Sequence, residues 1–238
     1  MRRWLVLATS ILAAVLVASR LDVGSAASLN LTSQAFTAVR TCTITAATTA
    51  TTAVADANVR QGSATTNFGV ATTVNVSSAA SANQRIYLKF DVTQCSPAIP
   101  ATATVRLATL RLFMSTVPTV CRTVDVFRVT AAWTESAITW NNQPFGTTIN
   151  NPASGSADDT FAVGTATGCT NQAAGYVAGA DVTTSVAAFV AGTSTNFGWM
   201  LRDDVEGSST ARTSTYSAKE LATLARAPQL VVTYVLVP

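Results

Sequence analysis

The sequence contains no histidine, and only 11% of its 238 residues are charged. Without an imidazole the chain has no Ser-His-Asp triad, no Cys-His pair, no histidine-ligated zinc and no histidine general base. Globular chains carry about 25% charged residues, whereas threonine, alanine, serine and valine dominate here. Because β-branched residues fit strands better than helices, this composition disfavours a helical protein.

The net charge of +3 comes largely from the first residues of the chain. Without Arg2, Arg3, Arg20 and Asp22, the 15 basic and 12 acidic residues fall to 12 and 11, which leaves +1. A chain this close to neutral lacks the basic footprint of a nucleic-acid-binding protein. We therefore expect no nucleic-acid partner.

An uncharged, mostly apolar segment follows two arginines at the amino terminus. It spans residues 4–19, and Arg20 ends it. This is shorter than the roughly 20 residues that a membrane-spanning helix needs. With small residues at 25–27, the pattern predicts a signal peptide over residues 1–27, with a retained anchor as the alternative. We therefore expect a secreted, extracellular chain, which a retained leader would anchor at the cell surface.

All four cysteines follow the leader. An even number of cysteines in an exported chain predicts two disulfides, because disulfides form in oxidising compartments. Three pairings are possible; we favour Cys95–Cys121, which flank one long β segment, and this leaves Cys42–Cys169. A zinc site is disfavoured, since no two cysteines are close in sequence and histidine is absent.

Residues 28–53 include an uncharged run of threonine and alanine over residues 41–53. A biased tract of this kind is typical of a spacer that holds a domain away from a surface. Its threonine content is equally compatible with an edge strand. We interpret residues 28–53 as a spacer, keep the strand as the alternative, and place the folded domain at residues 54–238.

Alternating apolar and polar residues predict strands throughout the domain. In residues 84–92 every second residue is apolar, which predicts one face in the core and one in water. In residues 104–114 the alternation changes phase near 108–109, which predicts a β-bulge or a bend between sheets. Further strands are expected at residues 122–129, 196–202 and 228–237. The last is apolar on both faces, which indicates a central strand that is covered on both sides.

One segment, residues 181–192, has apolar residues at helical spacing. Asp181 is suited to cap the start of a helix, and Gly192 is suited to end it. The apolar positions are Val182, Val186, Phe189 and Val190. Many strands, short links and one helical insert predict an all-β fold, an antiparallel β-sandwich with one short helix.

The stretch WTESAITWNNQP, residues 133–144, places two tryptophans beside amides and a carboxylate. Such a set is typical of a sugar-binding surface and also of a tied-down turn. Trp133 and Trp140 have opposite parity, so they would not share a face of one uninterrupted strand. We favour a structural turn around residues 134–137, tied by Glu135, and keep Trp133 as a candidate for sugar binding.

Eight segments occur in an order that resembles a known family. They are ADANVRQGSATTNFG, RIYLKFDV, ATLRLFM, VFRVTAAWTESAITWNNQP, DVTTSVAAFVAG, FGWMLR, TYSAKE and PQLVVTYV, within residues 54–237. This order resembles the DNRLRE domain, also classed as carbohydrate-binding module family 96. The resemblance implies a β-sandwich of jelly-roll type and an extracellular, non-catalytic module. It also implies a polysaccharide partner, since members beside polysaccharide lyases bind alginate-like acidic glycans.

Other members of that family are cell-surface proteins without an assigned ligand. We therefore keep a cell-surface structural or adhesive protein, associated with the envelope, as the alternative function. The Thr/Ala tract and the charge-poor composition favour this alternative. An acidic or cell-wall polysaccharide, with a uronate-rich chain as the narrower expectation, is the partner that we favour.

The water-facing side predicted for residues 84–92 is the first candidate for the binding site. Arg85, Tyr87 and Lys89 place two cations around an aromatic ring, an arrangement suited to uronate carboxylates and to stacking on a sugar. Arg106 and Arg111 are candidate extensions of this surface, and the phase slip between them is the feature that would separate them onto different sheets. The alternative is an ordinary solvated strand face, in which Lys89 protects an edge from further pairing.

Carboxylates in predicted loops are weak candidates for a structural Ca²⁺, which takes oxygen ligands. They are Asp56, Asp158, Asp159, Asp203 and Asp204. Solvated turn residues are the favoured interpretation of each, and we expect no cofactor beyond such an ion. No pair of carboxylates stands out as the acid and nucleophile of a glycosidase, so we expect no enzyme activity.

Overall fold

The computed structural model describes residues 38–47, 49, 51–151, 155–177 and 179–236. The predicted signal peptide, residues 1–27, lies outside this part of the chain, and so does the beginning of the predicted spacer. Among the described residues, no helix has the length and apolar character that crossing a membrane requires.

Thirteen strands and one helix make up most of the regular structure in these ranges. The strands are β1 (Val39–Thr45), β2 (Val54–Arg60), β3 (Thr73–Ser78), β4 (Gln84–Phe90), β5 (Thr104–Arg111), β6 (Phe113–Thr116), β7 (Arg122–Arg128), β8 (Asp159–Val163), β9 (Gly175–Tyr176), β10 (Ala180–Asp181), β11 (Trp199–Asp203), β12 (Arg212–Ser217) and β13 (Gln229–Val235). The helix α1 (Thr183–Val190) lies between β10 and β11.

The strands form two sheets in which every strand pair is antiparallel. Sheet A has the order β1-β13-β5-β10. Sheet B has the order β8-β7-β11-β4-β3-β12-β6-β9, and β2 also pairs with β4. Apolar residues of both sheets share one main core, among them Ile44, Leu110 and Leu230 of sheet A and Ile86, Leu88 and Trp199 of sheet B. The predicted antiparallel β-sandwich with one short helix is confirmed.

The first strand corrects the interpretation of residues 28–53 as a spacer. All seven residues of β1 pair with β13. Ile44 is fully buried, whereas Thr41 and Thr43 face outward. The spacer interpretation is wrong for these residues and the edge strand is right, because Thr41 and Thr43 belong to the outward half of an alternating strand.

The phase slip predicted near residues 108–109 is present as a bulge and a bend. Arg106 has no partner in β13, because the register shifts between Thr233 and Tyr234. This bulge lies slightly before the expected position. After β5 the chain leaves sheet A and continues in sheet B as β6, so the same segment also bends between the sheets.

The helix agrees with its prediction, and the last strand agrees in its central position. Val186 and Phe189 of α1 belong to the main core, and Asp181 Oδ1 accepts a hydrogen bond from the N–H of Thr183 at the helix start. Gly192 follows the helix with a φ of 70°, a conformation that glycine adopts without strain. β13 lies between β1 and β5, so the expected central position is confirmed. The expected cover on both sides is wrong, because Gln229, Val231 and Thr233 on its outer face are only half-buried.

Strand β4 is buried on both faces, and the expectation of a water-facing side is wrong. Its even-numbered apolar residues belong to the main core, while Tyr87 belongs to a second apolar cluster on the opposite face. This outer cluster consists of Ala57, Val59, Tyr87, Phe127, Val129, Trp133, Ile138, Trp140 and Met200. Residues 129–146, which follow β7, supply the layer that covers this face of sheet B.

Two disulfides join the four cysteines, Cys42–Cys95 and Cys121–Cys169. The number of disulfides was predicted correctly, and the favoured pairing is wrong. Cys42 lies in β1 of sheet A and Cys95 follows β4 of sheet B, so the first disulfide links the two sheets. Cys121 precedes β7 and Cys169 follows β8, and these two strands pair with each other, which brings the second pair of cysteines together.

Candidate functional site

Arg85, the first predicted binding residue, is held inside the protein. Its Nε and Nη2 donate to the two carboxylate oxygens of Glu206 at 2.7 and 2.9 Å, and Nη1 donates to Gln143 Oε1 at 3.1 Å. The guanidinium carbon lies 4.6 Å from the ring centroid of Trp140. Because neither the Arg85 nor the Glu206 side chain has exposed surface, Arg85 supports the fold and does not reach a ligand.

Tyr87 and Trp133 are also structural. Their rings pack edge to face with centroids 5.6 Å apart, and burial raises the pKa of Tyr87. The Trp133 indole donates to the carbonyl of Phe197 at 2.7 Å, and the residue is 9% exposed. Of the predicted binding residues, Lys89, Arg106 and Arg111 reach solvent. Lys89 lies in β4 of sheet B, whereas the two arginines lie in β5 of sheet A, so the structure does not bring Lys89 together with them.

Glu135 ties the tryptophan-rich turn to two other segments. Its Oε1 accepts a hydrogen bond from the N–H of Asp56 at 2.7 Å, and its Oε2 accepts one from Lys219 Nζ at 2.6 Å. The backbone N–H of Lys219 donates in turn to Asp56 Oδ2 at 2.8 Å. The stretch 133–144 is therefore a structural corner, as favoured from the sequence.

Asp56, Glu135 and Glu220 are the one group of metal-binding residue types, within the described ranges, whose ligand atoms all lie within 4.8 Å of one another. The Lys219 ammonium already pairs with Glu135 at 2.6 Å and with Glu220 at 3.6 Å. These residues fit an ion-pair cluster better than a Ca²⁺ site, because the cluster already holds its cation.

Burial, and then repulsion from Glu220 and Glu135, raises the pKa of Asp56 well above its usual range. Burial and the neighbouring Glu135 also raise the pKa of Glu220. Both carboxyl groups therefore bind a proton more readily than exposed ones do.

The other calcium candidates lie in two different places. Asp203 and Asp204 both accept hydrogen bonds from Arg122, so their charges are already paired. Asp158 and Asp159 line a surface cleft beside α1. Neither pair belongs to a group compact enough to bind one ion among the residues that the structure describes.

Two partly exposed aromatic rings flanked by arginines lie where β6 meets β9. Phe113 and Tyr176 are paired in register and pack edge to face, with centroids 5.5 Å apart. The guanidinium carbon of Arg111 lies 4.9 Å from the Tyr176 centroid, and that of Arg226 lies 4.7 Å from the Phe113 centroid. With Gln229 these four residues form what is named here the arginine–aromatic patch.

Alternation along β5 and β6 places this patch on the outer face. The residues that face the core are fully buried: Leu110, Leu112 and Met114. Arg111 and Phe113 lie between them and therefore point outward. Gln229 pairs with Arg111 across the sheet, and its amide donates to the Tyr176 hydroxyl at 2.9 Å. The hydroxyl also lies 2.8 Å from each of two backbone carbonyls in the 225–227 segment, so the ring is held in place.

Neither patch arginine has a carboxylate partner among the ion pairs of the described residues. Arg226 is exposed, and the side-chain hydrogen bond of Arg111 goes to the amide oxygen of Gln229 at 3.4 Å. A guanidinium group that packs against a ring and has no carboxylate partner is available to bind a carboxylate of a ligand. Its planar set of N–H donors matches the geometry of the two carboxylate oxygens.

A cleft of about 470 Å³ opens beside the start of α1. Its polar lining residues are Ser156, Asp158, Asp159, Asp181, Thr183 and Thr184. One oxygen of each aspartate is held by the protein: Asp158 Oδ2 by the Trp199 indole at 2.9 Å, Asp159 Oδ2 by the N–H of Asp181 at 2.6 Å, and Asp181 Oδ1 by the N–H of Thr183 at 2.8 Å. The second oxygen of each aspartate accepts no hydrogen bond from the described residues, which leaves three oriented acceptors in the cleft.

Reasoning from the sequence named Arg111 but missed the rest of the arginine–aromatic patch. Tyr176 and Arg226 lie in turn-rich segments without an alternating pattern, and only the folded chain brings them beside β6. The sequence did contain a signal for the patch residues of β5 and β6. The inward parity of the apolar residues after the phase slip already placed Arg111 and Phe113 on the outer face.

The family comparison agrees with this structure. The chain matches the model of carbohydrate-binding module family 96 over residues 47–234. The match begins after β1 and ends within β13, so it covers both sheets apart from that first strand. No curated protein matches the chain. The match covers most of the chain, which therefore belongs to carbohydrate-binding module family 96.

Proposed function

We propose that the domain is a non-catalytic carbohydrate-binding module and that it binds an acidic polysaccharide through the arginine–aromatic patch. The observation that carries the proposal is the pair of guanidinium groups on the rings of Phe113 and Tyr176, without a carboxylate partner among the described residues. In a chain with so few charges, two unpaired cations beside partly exposed rings are suited to a negatively charged sugar.

The chemistry of each patch residue supports this assignment. Arg111 and Arg226 donate hydrogen bonds to a uronate carboxylate, and hydrogen bonds of this charged kind contribute about 1.5–3 kcal/mol. The edges of Phe113 and Tyr176 offer apolar surface to the C–H face of a sugar ring. Gln229 holds the Tyr176 hydroxyl, which reduces the side-chain ordering that binding would otherwise require.

An extracellular location is part of this proposal. Two disulfides are typical of proteins that fold in an oxidising compartment, and the predicted signal peptide provides the export route. A retained leader would hold the module at the cell envelope, and a cleaved one would release it. The mass of the mature amino terminus distinguishes these two outcomes.

Affinity electrophoresis of the purified protein tests the proposal. Gels would contain alginate, polygalacturonate, hyaluronan or a neutral cell-wall glucan. We expect retardation in at least one acidic gel and none in the neutral gel. The double variant Arg111→Ala/Arg226→Ala should lose at least about tenfold in affinity, the equivalent of one charged hydrogen bond of about 1.4 kcal/mol.

Arg106→Ala is the matched control, since Arg106 is also an exposed arginine of β5 but lies outside the patch. It should bind like the wild type. An equal loss in this control would mean that net charge alone attracts the glycan. Absence of retardation in every gel would contradict the proposal and favour a structural or adhesive protein of the cell surface.

A further inference from the structure

A smaller cleft with one arginine lies at an end of sheet B, on different strands from the arginine–aromatic patch. Its walls come from the end of β7 and from the link between α1 and β11. The lining residues are Arg128, Val129, Thr130, Ser194, Thr195 and Phe197, and they form what is called the rim cleft below. Its volume is about 180 Å³. Sites for drug-sized ligands have roughly 300–1,000 Å³, so the rim cleft fits one sugar ring rather than a longer stretch of chain.

Arg128 lines the rim cleft without a partner from the protein. It is half-buried, yet it makes no ion pair and no side-chain hydrogen bond with another described residue. Asp158, which precedes the neighbouring strand β8, is held by the Trp199 indole at 2.9 Å and does not pair with Arg128. Because a guanidinium group has five N–H donors and no acceptor, those of Arg128 are left for water or for a ligand.

The end of α1 does not require Arg128 as a cap. An arginine near the carboxyl terminus of a helix often donates to the last carbonyl groups, and Ser194, which follows α1, shares the cleft with Arg128. Backbone N–H groups of residues 191–194 already donate to the carbonyls of Ala187, Ala188 and Phe189. The structural role that its position suggests is therefore filled by the backbone, which leaves Arg128 available to a ligand.

The link between α1 and β11 is held in place before any ligand binds. Asn196 Nδ2 donates to the carbonyl of Phe90 at 2.7 Å, and Asn196 Oδ1 accepts a hydrogen bond from the N–H of Gly198 at 3.1 Å. The half-buried Phe197 also packs against the outer cluster of sheet B. The backbone that carries the hydroxyl groups of residues 194–195 is thus fixed beside the cleft, which reduces the ordering that binding would otherwise require.

The rim cleft and the arginine–aromatic patch are well separated. The cleft lies at the end of β7, and the patch includes Phe113 of β6. The order β7-β11-β4-β3-β12-β6 in sheet B places five strand spacings between them, which is about 24 Å along the sheet. A disaccharide is too short to contact both places at once.

Resting on the proposed function, we infer that the rim cleft is a second binding site for an acidic sugar and that the module is bivalent. Arg128 binds the carboxylate of one uronate, since its planar donors match the two carboxylate oxygens. The hydroxyl groups of Thr130 and Ser194 add hydrogen bonds, and the ring of Phe197 contacts the C–H face of the sugar. A polysaccharide that reaches both sites gains avidity, because its second contact is intramolecular. Two separate chains bound by one module are cross-linked.

A titration followed by NMR tests the two sites separately. The ligand is digalacturonate, which carries a carboxylate on each ring, and EDTA is present so that no divalent cation bridges carboxylates. We expect two groups of backbone amide signals of the isotope-labelled wild type to shift. One group comes from residues 129–130 and 194–198 at the rim cleft, and the other from residues 175–176 and 225–229 at the patch. Cellobiose, a neutral disaccharide, should shift neither group.

Substitutions at each site should remove one group of shifts and leave the other. Arg128→Gln keeps a polar side chain without the charge, and the rim cleft should lose at least about tenfold in affinity, equivalent to about 1.4 kcal/mol. The double variant Arg111→Ala/Arg226→Ala should weaken only the patch. Arg60→Gln is the matched control, because Arg60 is also half-buried without an ion pair and is the register partner of Gln84, at the other end of β4. Thermal unfolding confirms that each variant is folded.

The inference and the proposed function can fail separately. If no rim-cleft signal shifts with digalacturonate, or if Arg128→Gln leaves these shifts unchanged, the inference is overturned, while the patch signals and the glycan gels still decide the proposed function. If only the rim-cleft signals shift, both the bivalent module and the assignment of binding to the patch are overturned. An equal loss at the rim cleft in Arg60→Gln would also overturn the inference, because net charge rather than Arg128 would then attract the sugar.

Discussion

The outer faces of the two sheets differ in what covers them. On sheet B, residues 129–146 form a second layer that buries Tyr87 and encloses the Arg85–Glu206 pair. On sheet A, most outward residues of β1, β5 and β13 are exposed or half-buried, with Thr45 and Val235 as buried exceptions. No comparable second apolar cluster lies over them among the described residues. Alternating charged and aromatic residues therefore do not show by themselves that a strand faces water, because a distant segment decides whether the face is covered.

This comparison also explains where a ligand can bind. Arg85, Arg122 and Arg202 of sheet B have carboxylate partners, so they contribute to stability. The cations of the arginine–aromatic patch lack such partners, so they remain available to a ligand. Variants on the covered face should chiefly change stability, and variants on the open face should chiefly change binding.

The largest effect is expected for Glu206→Ala. The substitution leaves the buried Arg85 guanidinium without its carboxylate, and removing one partner of a buried ion pair costs about 3–5 kcal/mol. Urea denaturation gives the change in the free energy of unfolding. Asp204→Ala is the control, because that side chain is 36% exposed, and it should cost under about 1 kcal/mol. Equal losses in the two variants would contradict the buried layer on sheet B.

A smaller effect is expected for Trp133→Phe. The change removes the hydrogen bond to the Phe197 carbonyl and leaves that acceptor unpaired, which costs about 1–3 kcal/mol. The same denaturation experiment measures it, and retention in glycan gels should be unchanged. Lost glycan binding with unchanged stability would instead make Trp133 part of the binding surface.

The pH dependence of stability reports on Asp56. Its pKa in the folded state is raised above the unfolded value of about 3.9, so the folded state holds the proton more tightly. Protonated Asp56 therefore contributes to the free energy of unfolding fully below about pH 4. This contribution is lost as the pH rises through the raised pKa, and the free energy of unfolding then falls by up to about 1.4 kcal/mol per pH unit. Asp56→Asn keeps an acceptor for the Lys219 N–H without the charge. It should flatten this slope, measured by urea denaturation at several pH values.

Asp91→Asn is the control for that experiment. Burial alone would raise the pKa of Asp91, but hydrogen bonds from Thr93 and Gln94 outweigh it and lower the pKa. Ionised Asp91 therefore stabilises the folded state above the unfolded pKa, and this stabilisation is lost as the pH falls. The pH dependence from Asp91 is thus opposite in sign to that from Asp56. A wild-type slope that Asp56→Asn leaves unchanged would mean that Asp56 is ionised and paired with Lys219.

The smallest effect is expected for Arg106→Ala. Arg106 is exposed in the bulge of β5 and has no ion-pair partner among the described residues. Surface substitutions of this kind change stability by about 0.5 kcal/mol or less. A loss above 1 kcal/mol in urea denaturation would show that sheet A is covered at this position too.

Local patterns predicted the sandwich, the helix at α1 and the phase slip in β5. These features follow from periodicity within ten residues or so, which a sequence displays directly. The burial of Arg85 was not predictable in this way, because its partner Glu206 lies 121 residues further along the chain. The disulfide pairing failed for the same reason, since Cys42 meets Cys95 only after β1 has joined sheet A. The arginine–aromatic patch likewise depends on Tyr176 meeting β6 from a turn-rich segment.

The pairing of β1 with β13 has a consequence for how the chain acquires its fold. Val39 pairs with Val235, so the first described strand closes sheet A with the last one. A chain is synthesised from its amino terminus, and contacts between residues so far apart form slowly because a long loop must close. β1 must therefore wait with an unpaired edge until β13 emerges. During that interval this threonine-rich strand is exposed to association with other unfinished chains.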